Sequence, residues 1–166
     1  MRVIEGLPEG KGLHIAIVAS RFNRVIVEGL LAGALEVLEA SGVVSSDVIV
    51  VWVPGALELP LAAKRLAEEG DIDGVIALGC VIRGETAHYE HVGREAVGGL
   101  ARLALQLGIP VTTGVLTVEN VEQARIRSGL APDSGAGKEA DRHRGKEAAR
   151  ACLEMVNVLR STGGQE

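Results

Sequence analysis

The sequence of 166 residues predicts an α/β fold built on a parallel sheet. Four short aliphatic runs recur along the chain, and each is followed by a segment whose apolar residues repeat at helical spacing. The chain is 47% hydrophobic but holds only one Phe, one Tyr and one Trp. Its core must therefore be aliphatic, which is typical of parallel strands covered by helices.

Each aliphatic run predicts one strand. The strands span His14 to Ala19, Val48 to Val53, Val75 to Ile82 and Val111 to Leu116. Their alternation with helices predicts right-handed βαβ connections and therefore a parallel sheet. The Val3-Ile4 piece is too short to form a strand alone, and it could extend a sheet edge of this chain or of a neighbouring subunit.

Helices are predicted between and after these strands. The first carries apolar residues from Val27 to Leu38 on one face, and Ser41-Gly42 supplies its C-cap. Gly70 and Gly108 mark the ends of the next two. The later helices run from about Pro60 to Glu69, His88 to Leu107, Asn120 (as N-cap) to Arg127, and Gly145 to Arg160.

Composition limits the class of protein. The length favours one domain over residues 1–166, with 131–145 as a long polar loop and 161–166 as a frayed tail. The formal net charge of −5 argues against nucleic acid as a partner, and we interpret the basic run from Lys138 to Lys146 as a solvated loop. No apolar stretch reaches the roughly 20 residues of a membrane span, and the first residues lack the apolar run of a leader.

The cysteines favour a reducing compartment. Cys80 and Cys152 each stand alone in an apolar pattern, without CxxC or metal-ligand spacing. We therefore expect buried free thiols in a cytoplasmic protein that holds no metal.

The most informative segment is GCVIRGETAHYEHV at 79–92, where a strand turns through glycine into a helix. Such a turn presents unpaired backbone N–H groups to an anion. Arg83 would add a positive charge, and Thr86 could cap the helix or donate its hydroxyl to a ligand. His88 could carry a proton, because free histidine titrates near neutrality. An anion cradle beside a proton carrier predicts an enzyme acting on a small phosphorylated substrate.

Ligands of parallel α/β sheets bind at the carboxyl ends of the strands. The other loops at these ends contain residues that could have either a structural or a ligand-binding role. Phe22, the only Phe, is either a core plug or a stacking surface for a planar ring. Asn23 could cap the next helix or bind a ligand. Glu58 is either solvated in a first helical turn or binds a ligand hydroxyl. Arg127 either compensates a helix dipole or clamps the phosphate in another subunit's site.

Several long motifs, in this order, resemble the lumazine synthase family of riboflavin biosynthesis, over about Glu5-Gly6 to Leu159. They are IVASRFN at 17–23, VPGALELP at 53–60, ALGCVIRGETAHYEHV at 77–92, GVLTVENVEQA at 114–124 and LEMVNVL at 153–159. The resemblance implies a three-layer, flavodoxin-like α/β domain with a four-stranded parallel sheet flanked by helices. It also implies condensation of 5-amino-6-ribitylamino-uracil with 3,4-dihydroxy-2-butanone 4-phosphate, releasing lumazine, phosphate and water without a cofactor or metal.

The resemblance also implies roles for individual residues. Phe22 would stack on the pyrimidine ring, His88 would move protons, and Arg127 of an adjacent subunit would bind phosphate. The residues around the ribityl chain and heterocycle would be Asn23, Ala56, Leu57, Glu58, Val81 and Ile82, the last two through backbone groups. Those lining the phosphate site would be Gly84, Glu85 and Thr86.

Two positions depart from the family pattern. Thr113 stands where many relatives place a Phe from the neighbouring subunit, so that wall of the pocket should be less apolar. The short lysine-containing turn after Arg127 is replaced by APDSGAGKEADRHRG at 131–145. The family lysine near the phosphate could correspond to Lys138 or to Arg144, and the register of the last helix favours Arg144.

The inserted loop bears on assembly. Family members form pentamers, and some pack their pentamers into a hollow icosahedral shell. A long charged loop at 131–145 should obstruct that packing, so we predict a free homo-pentamer, or at most a pair of pentamers, with sites at subunit interfaces.

Other functions fit less well. The archaeal-type riboflavin synthase shares the fold, but ETAHYEH at 85–91 beside Arg127 favours a phosphate-bearing substrate. A flavin- or lumazine-binding or shell-forming homologue with weak turnover would keep the fold, although Phe22, Glu58 and His88 argue for activity. A response-regulator receiver needs acidic residues where SRFN stands at 20–23, and a flavodoxin-like electron carrier needs more aromatic residues.

Overall fold

The computed structural model describes residues 1–131 and 142–163, in which a four-stranded parallel sheet lies between two layers of helices. The strand order is β2-β1-β3-β4. Every predicted run forms a strand, which confirms the flavodoxin-like α/β architecture. The strands are β1 Ile15–Ser20, β2 Val48–Val53, β3 Gly74–Ile82 and β4 Val111–Val118.

Five α-helices are formed by the described residues, at the predicted places. They are α1 Arg24–Ala40, α2 Leu59–Glu69, α3 His88–Leu107, α4 Val121–Arg127 and α5 Arg144–Gly163. Two short 3₁₀ turns, Ser45–Asp47 and Ala56–Glu58, precede β2 and α2. Within the described residues, no helix is both long enough and apolar enough to cross a membrane.

Successive side chains of each strand point to opposite faces of the sheet and pack into two aliphatic cores. On one face, Ile17 and Leu78 pack with the apolar sides of α1 and α5. On the other face, Val18 and Ala77 pack with α2 and α3. Burial on both faces explains why the strands appear in the sequence as continuous aliphatic runs.

Two helix ends confirm their sequence signals. The Asn120 side chain accepts a hydrogen bond from the Gln123 N–H at 2.9 Å, so Asn120 caps α4 as predicted. Gly108 ends α3 in the left-handed conformation, with φ 69°.

The last helix is longer than predicted at both ends. Arg144 and Gly145 belong to α5 rather than to the inserted loop. At the other end the helix continues to Gly163, because the hydroxyls of Ser161 and Thr162 donate to carbonyls of the preceding turn. Residues 132–141, including Lys138, lie outside the described residues.

The N-terminal segment does not join this chain's sheet. Instead, the Asn157 side-chain amide donates to the carbonyls of Leu7 and Glu9, both at 2.9 Å, so the segment lies against α5. A Cβ on Gly6 would collide with the Glu154 carbonyl of the same helix. The interpretation of Val3-Ile4 as a strand of this chain's own sheet is therefore wrong, and pairing with a neighbour stays a prediction.

Both cysteines are buried free thiols, as the sequence predicted. Cys80 lies at the end of β3 and Cys152 lies in the core between the sheet and α5. Burial raises the pKa of each thiol to about 12, because a thiolate would be poorly solvated there.

Candidate active site

A cleft of about 330 Å³ lies at the carboxyl edge of the sheet, where the sequence placed the site. Its volume suits a small ligand. The cleft brings together the predicted residues Phe22, Ala56, Leu57, Glu58, Val81, Ile82, Gly84, Thr86 and His88.

Phe22 forms one wall of the cleft, and 71% of its surface is exposed. The loop that carries it is fixed by two backbone hydrogen bonds, from Arg21 N–H to the Val53 carbonyl at 2.8 Å and from Phe22 N–H to the Pro54 carbonyl at 3.2 Å. Phe22 is therefore not a core plug, and its exposed ring can stack on a planar ligand.

Asn23 has an unusual backbone for a residue other than glycine. Its φ of 56° and ψ of 44° are left-handed, the one such case outside glycine in the described residues. Its side-chain amide donates to the Cys80 carbonyl at 2.9 Å and makes no cap hydrogen bond with α1. The expectation that Asn23 caps α1 through its side chain is wrong, because the amide reaches across to β3 instead.

The loop after β2 contributes an apolar floor and an acid. Ala56 is buried, whereas Leu57 and Glu58 are exposed on the cleft wall. Glu58 precedes the first residue of α2, where the helix dipole favours a carboxylate. The two roles predicted for Glu58, a solvated carboxylate in the first helical turn and an acceptor for a ligand hydroxyl, are therefore compatible. A solvated carboxylate on the cleft wall can still accept a hydrogen bond from a ligand.

The loop between β3 and α3 presents free backbone donors. The N–H groups of residues 84–89 donate none of the hydrogen bonds found among the described residues. The N-cap of α3 is Ala87, without a side-chain cap, so the expectation that Thr86 caps the helix is wrong. Both Thr86 and His88 are exposed and line the cleft. The loop therefore offers an anion cradle with a hydroxyl and an imidazole beside it.

Arg83 does not line the cleft. Its guanidinium donates to Glu119, with Nη1 2.8 Å from Oε2, and it lies 6.0 Å from the centre of the Tyr89 ring. The Tyr89 hydroxyl donates to the other Glu119 oxygen at 3.0 Å. The positive charge that the sequence predicted near the cradle is therefore paired with Glu119, which directly follows β4, and it lies outside the cleft lining.

Charge and burial shift the pKa values of this group. The hydrogen bond from Arg83, followed by that from Tyr89, lowers the pKa of the Glu119 carboxyl. Burial is the main cause that raises the pKa of the Tyr89 hydroxyl, and the Glu119 charge adds to it. Glu119 is therefore ionised and Tyr89 is neutral at physiological pH.

Strand β3 extends beyond β1 and leaves part of its edge unpaired. It pairs with β1 only as far as Leu78 but with β4 as far as Ile82. The Arg83 N–H donates to the β4 carbonyl of Val118, and successive residues of a strand direct their backbone groups to opposite sides. The N–H and carbonyl of Ile82 consequently face the gap that β1 leaves, whereas those of Val81 face β4.

Thr113 lies far from this cleft. It is in the middle of β4, opposite Ala77, and its hydroxyl accepts from the Val115 N–H at 3.2 Å. The five residue steps from Thr113 to Val118 at the strand end correspond to about 16 Å of strand. Within one chain Thr113 therefore cannot contact a ligand in the cleft.

Three residues predicted for the phosphate site also lie outside the cleft lining. The Glu85 side chain is exposed beside it. Arg127 is exposed at the end of α4, and its side chain makes no hydrogen bond or ion pair with another described residue. Arg144 pairs with Glu147 in the first turn of α5, with Nη1 2.9 Å from Oε2.

The cleft also contains residues that the sequence did not single out. Gly55, Cys80, Tyr89 and Val92 line it. His88 and Val92 are one helical turn apart, so they lie on the same face of α3. This spacing could have predicted which face of the helix borders the cleft. Glu119 directly follows β4, so the rule that placed the site at strand ends could have identified it.

Comparison with known proteins agrees with this geometry. A family model described as 6,7-dimethyl-8-ribityllumazine synthase matches residues 12–160, nearly the whole chain. The described residues contain no group of three or more His, Cys, Asp or Glu side chains that could hold a metal ion.

Proposed function

This chain belongs to the 6,7-dimethyl-8-ribityllumazine synthase family, and we propose that the cleft at the carboxyl edge of its sheet is the active site. Enzymes of this family are transferases that condense 5-amino-6-ribitylamino-uracil with 3,4-dihydroxy-2-butanone 4-phosphate. The products are 6,7-dimethyl-8-ribityllumazine, phosphate and water.

One observation carries the assignment of the site. The exposed ring of Phe22 and the open N–H groups of residues 84–89 border the same cleft, with His88 at the start of α3. The pyrimidine substrate needs a flat apolar surface, and the second substrate needs an anion cradle. The cleft supplies both within reach of one another, which allows two substrates to be held together.

The roles follow from these positions. The pyrimidine stacks on Phe22 and contacts the free backbone groups of Ile82, while Glu58 accepts hydrogen bonds from ribityl hydroxyls. The phosphate of the butanone binds the cradle at Gly84 and the Thr86 hydroxyl. Since Glu85 carries a negative charge, it contributes through its backbone N–H alone.

His88 is the proton carrier in this proposal. The uracil amine attacks the ketone, and loss of water gives an imine. Elimination of phosphate follows, and attack of the ribitylamino nitrogen on the remaining carbonyl closes the ring with loss of a second water. Each step moves a proton that an imidazole can accept and return. Proximity supplies much of the acceleration, because binding both substrates in one cleft removes the entropy cost of bringing them together.

The site needs a cation from a second subunit. No Lys or Arg lines the cleft among the described residues, and Arg83 is held by Glu119. A phosphate dianion in a cradle of neutral N–H groups therefore lacks a charged partner. The Arg127 side chain is exposed and makes no hydrogen bond or ion pair with the described residues, so it can serve a neighbour's cradle. Arg144, if released from Glu147, and Thr113 are further candidates from a neighbour.

This requirement supports a homo-oligomer whose subunits follow one another head to tail. We propose a pentamer, with the inserted loop at 131–145 preventing closure into an icosahedral shell. We also propose a cytoplasmic location, where reducing conditions keep Cys80 and Cys152 as the free thiols seen here.

The test follows lumazine absorbance and phosphate release together, with both substrates and purified protein. His88→Ala and Arg127→Ala are compared with His91→Ala and Arg65→Ala, which change exposed residues outside the cleft lining. We expect both signals to rise in step, His88→Ala to lower kcat by up to about 10²-fold, and Arg127→Ala to raise KM for the butanone phosphate.

Absence of turnover in a folded wild-type oligomer would contradict the proposal. The protein would then be a flavin- or lumazine-binding homologue, and ligand binding without phosphate release would identify it. Unchanged butanone phosphate kinetics in Arg127→Ala would remove Arg127 from the site while leaving the reaction in place.

A further inference from the structure

Glu119 contacts both ends of the loop that carries the anion cradle and His88. One carboxylate oxygen accepts from Arg83, which directly precedes Gly84, at 2.8 Å. The other accepts from the hydroxyl of Tyr89, which directly follows His88, at 3.0 Å. A single side chain at the end of β4 therefore fixes the entry and the exit of this loop.

The backbone of Glu119 is itself held in place. Its N–H donates to the Gln123 side chain at 2.9 Å, and the Gln123 N–H donates to the Asn120 side chain at 2.9 Å. The first turn of α4 thus fixes Glu119, and Glu119 fixes the loop. Between Arg83 and Tyr89 the loop donates no hydrogen bond from its backbone N–H groups to the described residues, so it has few other constraints.

The carboxylate also determines where a positive charge lies. Arg83 is one residue from Gly84, and its pairing with Glu119 holds the guanidinium beside the loop and outside the cleft lining. The same pairing fixes the backbone where the loop begins. The phosphate then meets neutral donors from its own subunit and a cation from a neighbour.

We propose that Glu119 is a positioning residue for substrate phosphate, acting through Arg83 and Tyr89. The inference rests on the proposed function of the cleft. More than half of the Arg83 and Glu119 side chains is exposed, with relative accessibilities of 60% and 53%. Exposed ion pairs contribute little to stability, so loss of Glu119 should affect the loop far more than the fold.

The experiment compares Glu119→Ala and Glu119→Gln with Glu68→Gln, which alters a similarly exposed ion pair on α2 outside the cleft lining. Measurements are the KM for each substrate, kcat, the Tm, and the Kd of inorganic phosphate by calorimetry. We expect Glu119→Ala to raise KM for the butanone phosphate and the Kd of phosphate about tenfold, because small misplacements of binding groups weaken binding strongly. KM for the pyrimidine and the Tm should match those of the Glu68→Gln protein.

Conservative variants separate positioning from folding. Glu119→Gln keeps one acceptor, and Tyr89→Phe keeps the ring but loses one of the two hydrogen bonds; both should show smaller rises than Glu119→Ala. Unchanged phosphate affinity in a folded Glu119→Ala or Glu119→Gln protein would overturn the inference. Equal losses for both substrates, in proportion to a lowered Tm, would overturn it as well.

Measuring phosphate binding also tests the role of Glu119 independently of the proposed reaction. A wild-type protein that binds phosphate but shows no turnover would refute the condensation, while a tenfold weaker Kd in Glu119→Ala would still support positioning. A wild-type protein with no measurable phosphate binding would refute the positioning role, because the loop would then hold no anion.

Discussion

The side-chain amide of Asn23 donates a hydrogen bond to the carbonyl oxygen of Cys80 at 2.9 Å, joining the loop after β1 to the end of β3. This contact crosses the gap that opens where β1 stops and β3 continues. Phe22 precedes Asn23, and the Ile82 backbone lies two residues beyond Cys80. The hydrogen bond therefore sets the separation between the exposed Phe22 ring and the unpaired edge of β3.

Asn23 variants should separate backbone strain from the loss of this hydrogen bond. Asn23→Ala loses the bond and places an unsuited residue at φ 56°, so we expect a loss of about 2 kcal/mol in unfolding free energy. Asn23→Gly tolerates the backbone and should lose only about 1 kcal/mol. Urea unfolding at one fixed protein concentration measures both, and equal losses would show that the left-handed backbone carries no strain.

Phe22 should affect pyrimidine binding without affecting the fold. Because its ring is exposed, Phe22→Leu should leave the Tm unchanged. Loss of stacking should raise KM for the pyrimidine about threefold to tenfold, with KM for the butanone phosphate unchanged. Phe22→Trp keeps an aromatic face and serves as the matched control. A Leu variant with wild-type KM would show that the ring does not stack on the pyrimidine.

His143 should make stability depend on pH. The imidazole is 9% exposed, and its Nδ1 accepts from the Lys146 N–H at 3.4 Å at the start of α5. Burial first, and then the Lys146 charge, lower its pKa, against weaker opposite effects of Glu36 and Glu147. The folded-state pKa is thus below the unfolded value, so the stabilisation is complete above about pH 6.5 and is lost as pH falls toward the folded value.

Thermal unfolding between about pH 7.5 and pH 5.5 tests this dependence. His143→Asn retains a cap acceptor but does not titrate, so its Tm should fall less on acidification than that of the wild type. Parallel Tm profiles for the two proteins would contradict a role for His143. The His143 ring is tightly enclosed by two glycines. A Cβ on Gly33 would collide with the ring, and one on Gly129 would lie 2.7 Å from it.

Mixed oligomers should show whether a site draws on two subunits. His88→Ala and Arg127→Ala proteins are unfolded together, mixed and reassembled. A cleft with His88 from one subunit and Arg127 from the next is then intact in about a quarter of cases, so activity should recover to about that fraction. Activity no greater than the mean of the two separate variants would place both residues in one subunit's site.

Assembly should stop at the pentamer. Sedimentation of the full chain should give five subunits, or ten for a pair of pentamers, and electron micrographs should show no hollow particles. Replacing residues 132–141 by a short turn, which leaves His143 and the start of α5 intact, should allow larger particles if the loop is the obstacle. Icosahedral particles formed by the unaltered chain would refute this prediction.

The sequence predicted local structure better than it predicted side-chain partners. The limits of β2 and α3 agree with the prediction residue for residue, because aliphatic runs and glycine stops are encoded nearby. The partners of Asn23 and Arg83 could not be predicted because Cys80 and Glu119 are 57 and 36 residues away along the chain. Residue types alone do not show whether a side chain at the sheet edge bonds a neighbouring strand or points into the cleft.

The burial of Cys80 bears on whether the protein itself could react with a bound carbonyl compound. Its thiol borders the cleft, yet its pKa of about 12 keeps it protonated, and no lysine lines the cleft within the described part of the chain. A ketone bound there would meet no thiolate or amine from the described residues of its own subunit that could trap it. Under the proposed function, the amine of the other substrate would then be the nucleophile, and these residues would not be modified by the carbonyl compound.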